Sequence, residues 1–135
     1  MSGSARQTAP HEVPSGTRLV LYACLPASLG EAADHSVASA RRYVAGAGWE
    51  AVETYVDRTA PFGSRALCEG WHNALAAVEQ GKAAGIVTPL PVMLGHLEED
   101  RANLAAWQAR TGALITTPWA VVDAAGSAGA RRSAA

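Results

Sequence analysis

The chain has 135 residues, of which 49% are hydrophobic, so it is long enough to form one domain with a substantial buried core. Its formal net charge of −1 comes without a block of Lys or Arg, which argues against strong direct binding of DNA but leaves indirect contact through a partner open. Two cysteines are too few for a disulfide framework and show no zinc-binding spacing, so we expect no metal and no cofactor. The sequence has no signal peptide and no apolar run long enough to span a bilayer, so we expect a cytoplasmic protein without membrane contact.

The amino-terminal part of the chain predicts a tail followed by a buried strand. Residues 1–16 are polar and include two prolines, so we expect them to form a disordered tail. Arg18–Cys24 then carries a continuous apolar run, which is typical of a strand buried on both faces of a sheet. The run leads into a short connection of small residues that ends at Gly30.

Three helices are predicted, over Asp34–Gly48, Leu67–Gln80 and Leu94–Arg110. The first can be capped by Asp34 or Ser36, and the acidic start and basic end of the third complement the helix dipole. Apolar residues recur three or four positions apart in each helix, which predicts one buried face per helix. In chain order these faces are Val37-Ala40-Val44-Ala47, Leu67-Trp71-Leu75-Val78 and Leu97-Leu104-Trp107.

Three further strands are predicted between and after the helices, over Trp49–Asp57, Ala84–Thr88 and Ala113–Thr117. Strands that alternate with helices through short connections indicate a parallel sheet with helices on both faces. The expected fold is therefore α/β, a three-layer αβα arrangement around a four-stranded parallel sheet of the flavodoxin-like, doubly wound type. The domain should span residues 17–122, followed by a disordered tail over 123–135 that is rich in Ala, Gly and Ser.

The carboxyl ends of the predicted strands define the candidate site. In open parallel sheets, ligands and catalytic groups gather beyond this edge. The side chains that should meet there are Tyr22, Cys24, Ser28, Asp57, Arg65, Thr88 and His96.

Several segments resemble the catalytic domain of the serine recombinases, which comprise resolvases and DNA invertases. Tyr22-Ala-Cys-Leu-Pro26 resembles the Tyr-Ala-Arg-Val-Ser that closes their first strand, and residues 42–57 are similar to their helix, Gly-Trp and strand that follow. Residues 75–87 are similar to their second helix and third strand, and Leu94-Gly95 resembles part of their Lys-Leu-Asp-Arg-Leu-Gly-Arg motif. The resemblance spans about residues 18–117 and implies a resolvase-like fold.

The residues that the resemblance would make catalytic are mostly replaced in this chain. The family's serine nucleophile attacks a DNA phosphate, and its position here is Pro26, while the arginine two residues earlier is Cys24. A further family arginine corresponds either to Arg65 or to Cys68. The lysine, aspartate and two arginines of the third-strand motif fall on Leu90, Val92, Met93 and His96. Phosphoryl transfer needs a nucleophile and cations for the developing charge, so we expect no family catalysis.

Individual residues near this edge allow a structural interpretation as well as a functional one. Cys24 is a small buried hydrophobe or a reactive thiol, and Ser28 is a turn residue or a displaced nucleophile. Glu98-Glu-Asp100 reads as helix-dipole partners rather than paired catalytic carboxylates. Trp119 does not fit a core spacing and is a candidate surface anchor for a partner.

Three functions are compatible with these observations. The first is a degenerate recombinase-like domain, a pseudoenzyme that acts as a binding or regulatory module through dimerisation or by docking on a DNA-bound protein. Only 18 residues follow Thr117, too few for the family's long pairing helix and helix-turn-helix module. The second is an enzyme of another class that uses Cys24, Ser28 and His96. The third is residual DNA recombination in complex with a full-length recombinase.

Overall fold

The computed structural model describes residues 6–118 and contains an all-parallel four-stranded sheet flanked by helices. The strands are β1 (Arg18–Cys24), β2 (Glu50–Asp57), β3 (Gly85–Val87) and β4 (Leu114–Thr116). The helices are α1 (Glu31–Gly46), α2 (Glu69–Glu79) and α3 (Glu98–Thr111). The strand order is β2-β1-β3-β4, which confirms the predicted α/β class and the doubly wound parallel sheet.

The central strand β1 explains why helices cover both faces of the sheet. Its residues from Leu19 to Cys24 are fully buried, and successive side chains of a strand point to opposite faces. Leu19 and Leu21 belong to a core cluster with Ala40 and Val44 of α1. On the other face, the second cluster joins strand residues to α2 and α3, and its members include Val20, Tyr22, Ile86, Ile115, Ala74, Ala77, Leu104 and Trp107.

Helix α1 begins one turn before the predicted start. Gly30 is its N-cap, with φ of 55°, and the Gly30 carbonyl accepts hydrogen bonds from the N–H groups of Ala33 and Asp34. Glycine adopts positive φ without a steric penalty, so the chain reverses there and the helix starts at Glu31. Asp34 and Ser36 therefore lie within the helix, and the predicted cap at either residue is wrong.

The other two helices begin later than predicted. Leu67 lies in a 3-10 turn (Arg65–Leu67) and its side chain is 88% exposed, so it does not contribute to the buried face of α2. A second 3-10 turn (Pro91–Leu94) precedes α3, and Leu97 is the exposed N-cap of that helix. Gly95 lies between this turn and α3. A side chain at this position would be too close to α3, because a Cβ there would lie 2.9 Å from the Cβ of Asp100.

Part of the predicted amino-terminal tail packs against the domain. The Thr8 N–H donates to the Ile115 carbonyl at 2.6 Å, and the Trp49 Nε1–H donates to the Val13 carbonyl at 3.3 Å. Thr8 and Val13 are both buried, so the prediction of a free tail is wrong for residues 6–16. Residues 1–5 and the predicted tail over 123–135 lie outside the described residues. No helix in the described part is long and apolar enough to cross a membrane.

Candidate functional site

The carboxylate of Asp57 organises the edge of the sheet at the carboxyl end of β2. Its oxygens accept hydrogen bonds from the N–H groups of Gly70 at 2.8 Å and Trp71 at 2.9 Å. These groups belong to the first turn of α2, where N–H groups lack partners within the helix. Asp57 thus caps α2 from another element, and its negative charge complements the positive end of the helix dipole.

Tyr22 joins the same carboxylate from the neighbouring strand. Its hydroxyl donates to Asp57 Oδ2 at 2.7 Å, and its ring packs edge-on against Trp71 with centroids 5.0 Å apart. Burial raises the pKa of Tyr22 well above its ordinary range, and the hydrogen bond to Asp57 raises it further. Tyr22 therefore stays protonated and holds Asp57 in place.

Arg65 is buried, with only 2% of its surface exposed. Its Nη1 donates to the Met93 carbonyl and its Nη2 to the Gly63 carbonyl, both at 3.1 Å. Within the described part of the chain its guanidinium makes no ion pair, and its Nε has no hydrogen-bond partner. Burial acts to lower the pKa of Arg65, but the nearby Cys24 and Tyr22 groups act to raise it, and the net shift is upward. Arg65 is therefore a buried cation held by main-chain dipoles.

Both cysteines lie close to this cation and are buried. The Cys24 thiol, at the end of β1, is fully buried and donates to the Thr59 carbonyl at 3.3 Å. The Cys68 thiol donates to the Ser64 carbonyl at 3.6 Å, and burial raises its pKa. A protonated, buried thiol is a poor nucleophile, so Cys68 has the properties of a core residue.

Of the seven predicted site residues, Ser28, Thr88 and His96 are not bonded to this cluster. Ser28 lies exposed in a 3-10 turn (Ala27–Leu29), and His96 is exposed with its ring edge-on to Phe62 at 5.1 Å. Thr88 is fully buried, and its N–H donates to the Thr116 carbonyl. Among residues 6–118, no hydrogen bond connects any two of Cys24, Ser28 and His96.

Two residues of the cluster were missed by the sequence analysis. Asp100 is buried, and its Oδ2 accepts the backbone N–H of Arg65 at 2.9 Å, so it is more than the helix-dipole partner expected. Gly70 leaves room for Asp57, because a Cβ there would lie 2.9 Å from both carboxylate oxygens. Neither role has a local sequence signal, since each depends on an element more than ten positions away in the chain.

The chemistry that this arrangement can perform is limited by its own hydrogen bonds. The Asp57 oxygens accept three donors, and both Arg65 terminal nitrogens are bound to carbonyls. In the described residues, no three His, Cys, Asp or Glu side chains are grouped as they would be in a metal site. The hydrogen bonds of the cluster therefore stabilise the edge of the sheet.

Comparisons with known proteins identify the fold. No protein-family model and no curated protein sequence matches the chain. Among solved structures, the chain resembles the C-terminal catalytic domain of ISC1926 TnpA, an IS607-like serine recombinase, with a TM-score of 0.65 and 16% sequence identity. The match covers 74% of this chain and 67% of that one. Together with the parallel sheet and its three flanking helices, this likeness shows that the chain has the fold of a serine-recombinase catalytic domain.

Proposed function

We propose that this domain is a catalytically degenerate serine-recombinase-like module that regulates by binding, either by dimerising or by docking on a DNA-bound protein. The observation that carries the proposal is which residues stand at the strand-end cluster and how deeply they are buried. By its resemblance to the family, Pro26 falls on the nucleophile position, and Arg65, which is one of two candidates for a family arginine, is buried.

The physical requirement for recombination supports the loss of catalysis. A covalent protein–DNA intermediate needs a nucleophile, and the charge that develops on the phosphate needs exposed cations. A guanidinium whose terminal nitrogens donate to Met93 and Gly63 would have to leave those carbonyls before it could bind a phosphate. Groups that act together in catalysis leave little activity when several are missing.

The charge at this edge favours a protein partner over direct DNA contact. Helices that follow parallel strands begin at the carboxyl edge, and the first turns of all three helices here are acidic. These residues are Glu31, Asp34, Glu69, Glu98, Glu99 and Asp100. Carboxylates repel DNA phosphates, so contact with DNA would be weak or indirect.

Exposed apolar side chains at the same edge support a protein interface. The large hydrophobic residues that are exposed within residues 6–118 all follow a strand's carboxyl end, in the β1–α1, β2–α2 and β3–α3 connections. They are Leu29, Phe62, Leu67, Leu90 and Leu97. Apolar side chains grouped on one side of a domain mark interaction sites. We name these five residues the apolar rim.

The test is sedimentation equilibrium of the full chain, alone and with a full-length serine recombinase bound to its DNA site. We expect either a dimer or a ternary complex, and Phe62→Asp together with Leu67→Asp should weaken it at least about tenfold, because desolvated apolar anchors dominate such interfaces. Gln80→Asp, an exposed change after the far end of α2, serves as the control. A chain that stays monomeric and joins no complex would refute the binding role.

Catalysis of another class has no comparable support. It would require Cys24, Ser28 and His96 to act together, but Cys24 is fully buried whereas Ser28 and His96 are exposed. The remaining alternative, recombination in a mixed complex with a full-length enzyme, would need the partner to supply the serine. The ternary-complex experiment tests it directly when strand exchange is measured in the same sample.

A further inference from the structure

A groove of about 370 Å³ lies beside the end of β4 and is distinct from the Asp57 cluster. Most of its walls are apolar. Its lining includes Gln7, Pro91, Val92, Leu94, Arg101 and Leu104. This volume is enough for a large side chain and its neighbours, because ligand pockets in proteins start at about 300 Å³.

Hydrogen bonds on both sides of β4 fix where the groove lies. On one side the Thr8 N–H donates to the Ile115 carbonyl, and Gln7 is the next residue along that segment. On the other side the Thr88 N–H donates to the Thr116 carbonyl, and Pro91 lies three residues further on. Gln7 and Pro91 therefore flank the end of β4, where the chain continues through Thr117 and Pro118 towards Trp119.

Two polar groups line the groove, a glutamine oxygen without a hydrogen-bond donor and an arginine that donates to the His96 carbonyl but has no carboxylate partner among residues 6–118. The Gln7 Oε1 atom is buried and accepts no hydrogen bond from the described residues. A buried acceptor without a donor is unfavourable, so we expect a donor to complete it. Arg101 is exposed and makes no ion pair within residues 6–118.

The residues that follow Pro118 have complementary chemistry. The sequence there is Trp119-Ala-Val-Val-Asp123, which offers three large apolar side chains, one indole N–H and one carboxylate. The indole N–H is a donor only, which suits the Gln7 oxygen, and the Asp123 carboxylate suits Arg101. The short distance along the chain from Pro118 keeps the loop-closure entropy small, which favours this segment over a separate molecule.

We propose that Trp119–Asp123 of the same chain docks in this groove, with the Trp119 indole donating to Gln7 Oε1 and Asp123 pairing with Arg101. The groove would then be covered from within the chain, and the apolar rim would remain available to a partner. This docking does not depend on the proposed binding function, since it would form in an isolated monomer.

The test follows the four tryptophan indole N–H signals of the ¹⁵N-labelled full chain by NMR, with Trp119→Phe assigning the signal of interest. We expect the Trp119 indole proton to exchange with water at least about tenfold more slowly than that of a free indole, because docking shields it. Gln7→Met and Val92→Asp should each restore fast exchange. Gln80→Asp, an exposed change outside both the groove and the apolar rim, should leave the protection intact.

The other indole signals show whether each variant is folded. The Trp107 indole donates to Glu79 Oε2 at 2.7 Å and that of Trp49 to the Val13 carbonyl, so both signals should persist in every variant. Fast exchange of Trp119 in the unmodified chain would overturn the proposal. Protection that survives both groove variants would overturn the groove as the docking site, and protection that disappears on dilution would assign the segment to a second copy.

Discussion

At the scale of single residues, the strand-end site is a set of buried and half-buried polar groups, most of which make hydrogen bonds within the fold. Asp57 accepts hydrogen bonds from a helix and from a neighbouring strand, and Arg65 donates to two loop carbonyls. Each of these contacts fixes a connection at the carboxyl edge of the sheet. The polar residues at this edge therefore contribute to the stability of the fold.

Replacing Asp57 tests its structural role. Asp57→Ala should lower the free energy of unfolding by about 2–4 kcal/mol, because it leaves three donors without a charged acceptor. Glu50→Ala removes an exposed carboxylate from the other end of the same strand and should change stability by less than about 0.5 kcal/mol. Urea denaturation of both variants measures the difference, and equal effects would contradict the role assigned to Asp57.

Tyr22 should make stability depend on pH in the alkaline range. The unfolded chain releases the tyrosine proton near the ordinary pKa of about 10, whereas burial keeps the pKa in the folded state higher. Above that pH the unfolded state binds fewer protons, so stability should be retained below about pH 10 and fall as the pH rises. Tyr22→Phe should flatten this dependence in denaturation curves recorded from pH 8 to pH 11, and an unchanged slope would contradict it.

Some of these residue roles could be predicted from the sequence, and others could not. Cys24 and Asp57 are the last residues of two predicted strands, so their place at the sheet edge could be predicted from the pattern. The burial of Arg65 could not, because it depends on carbonyl groups of Gly63 and Met93 that converge only in the fold. The same holds for Asp100, whose partner lies 35 positions away.

At the scale of elements, the strands were predicted more accurately than the starts of the helices. The buried strands β1 and β3 are marked by continuous apolar runs, which tertiary contacts do not alter. The start of α2 is set by Asp57, which lies in another element, and the start of α1 by the positive φ of Gly30. Local sequence patterns do not record such contacts, so the predicted helix starts differ from the observed ones by two to four residues.

The pairing of β3 with β4 depends on a glycine. A Cβ at Gly85 would lie 2.1 Å from the Leu114 carbonyl oxygen, which is backbone and cannot move without separating the strands. Gly85→Ala should therefore lower the free energy of unfolding by more than about 3 kcal/mol. Gly46→Ala, in α1 with open space around it, should be neutral or stabilising by up to about 1 kcal/mol. Thermal unfolding of the pair measures this, and similar melting temperatures would refute the steric argument.

At the scale of the whole molecule, the alternation of strands and helices was sufficient to predict the layers and the parallel sheet. The fold matches a serine-recombinase catalytic domain, and the carboxyl edge of the sheet carries acidic helix starts and exposed apolar side chains. The packing of residues 6–16 was not predicted, because polar segments with prolines normally form tails. Here contacts of Arg6, Thr8 and Val13 with distant elements hold the segment against the domain.

The central claim is that the fold persists without its strand-cleaving chemistry, and the most direct measurement is a search for covalent protein–DNA adducts. The full chain and its Pro26→Ser variant would be incubated with supercoiled plasmid carrying candidate sites and separated under denaturing conditions. We expect no adduct from either, because Arg65, which would have to help neutralise the phosphate, is buried and donates to main-chain carbonyls. An adduct with the unmodified chain would contradict the account outright, and one with Pro26→Ser alone would show that the rest of the catalytic site is intact.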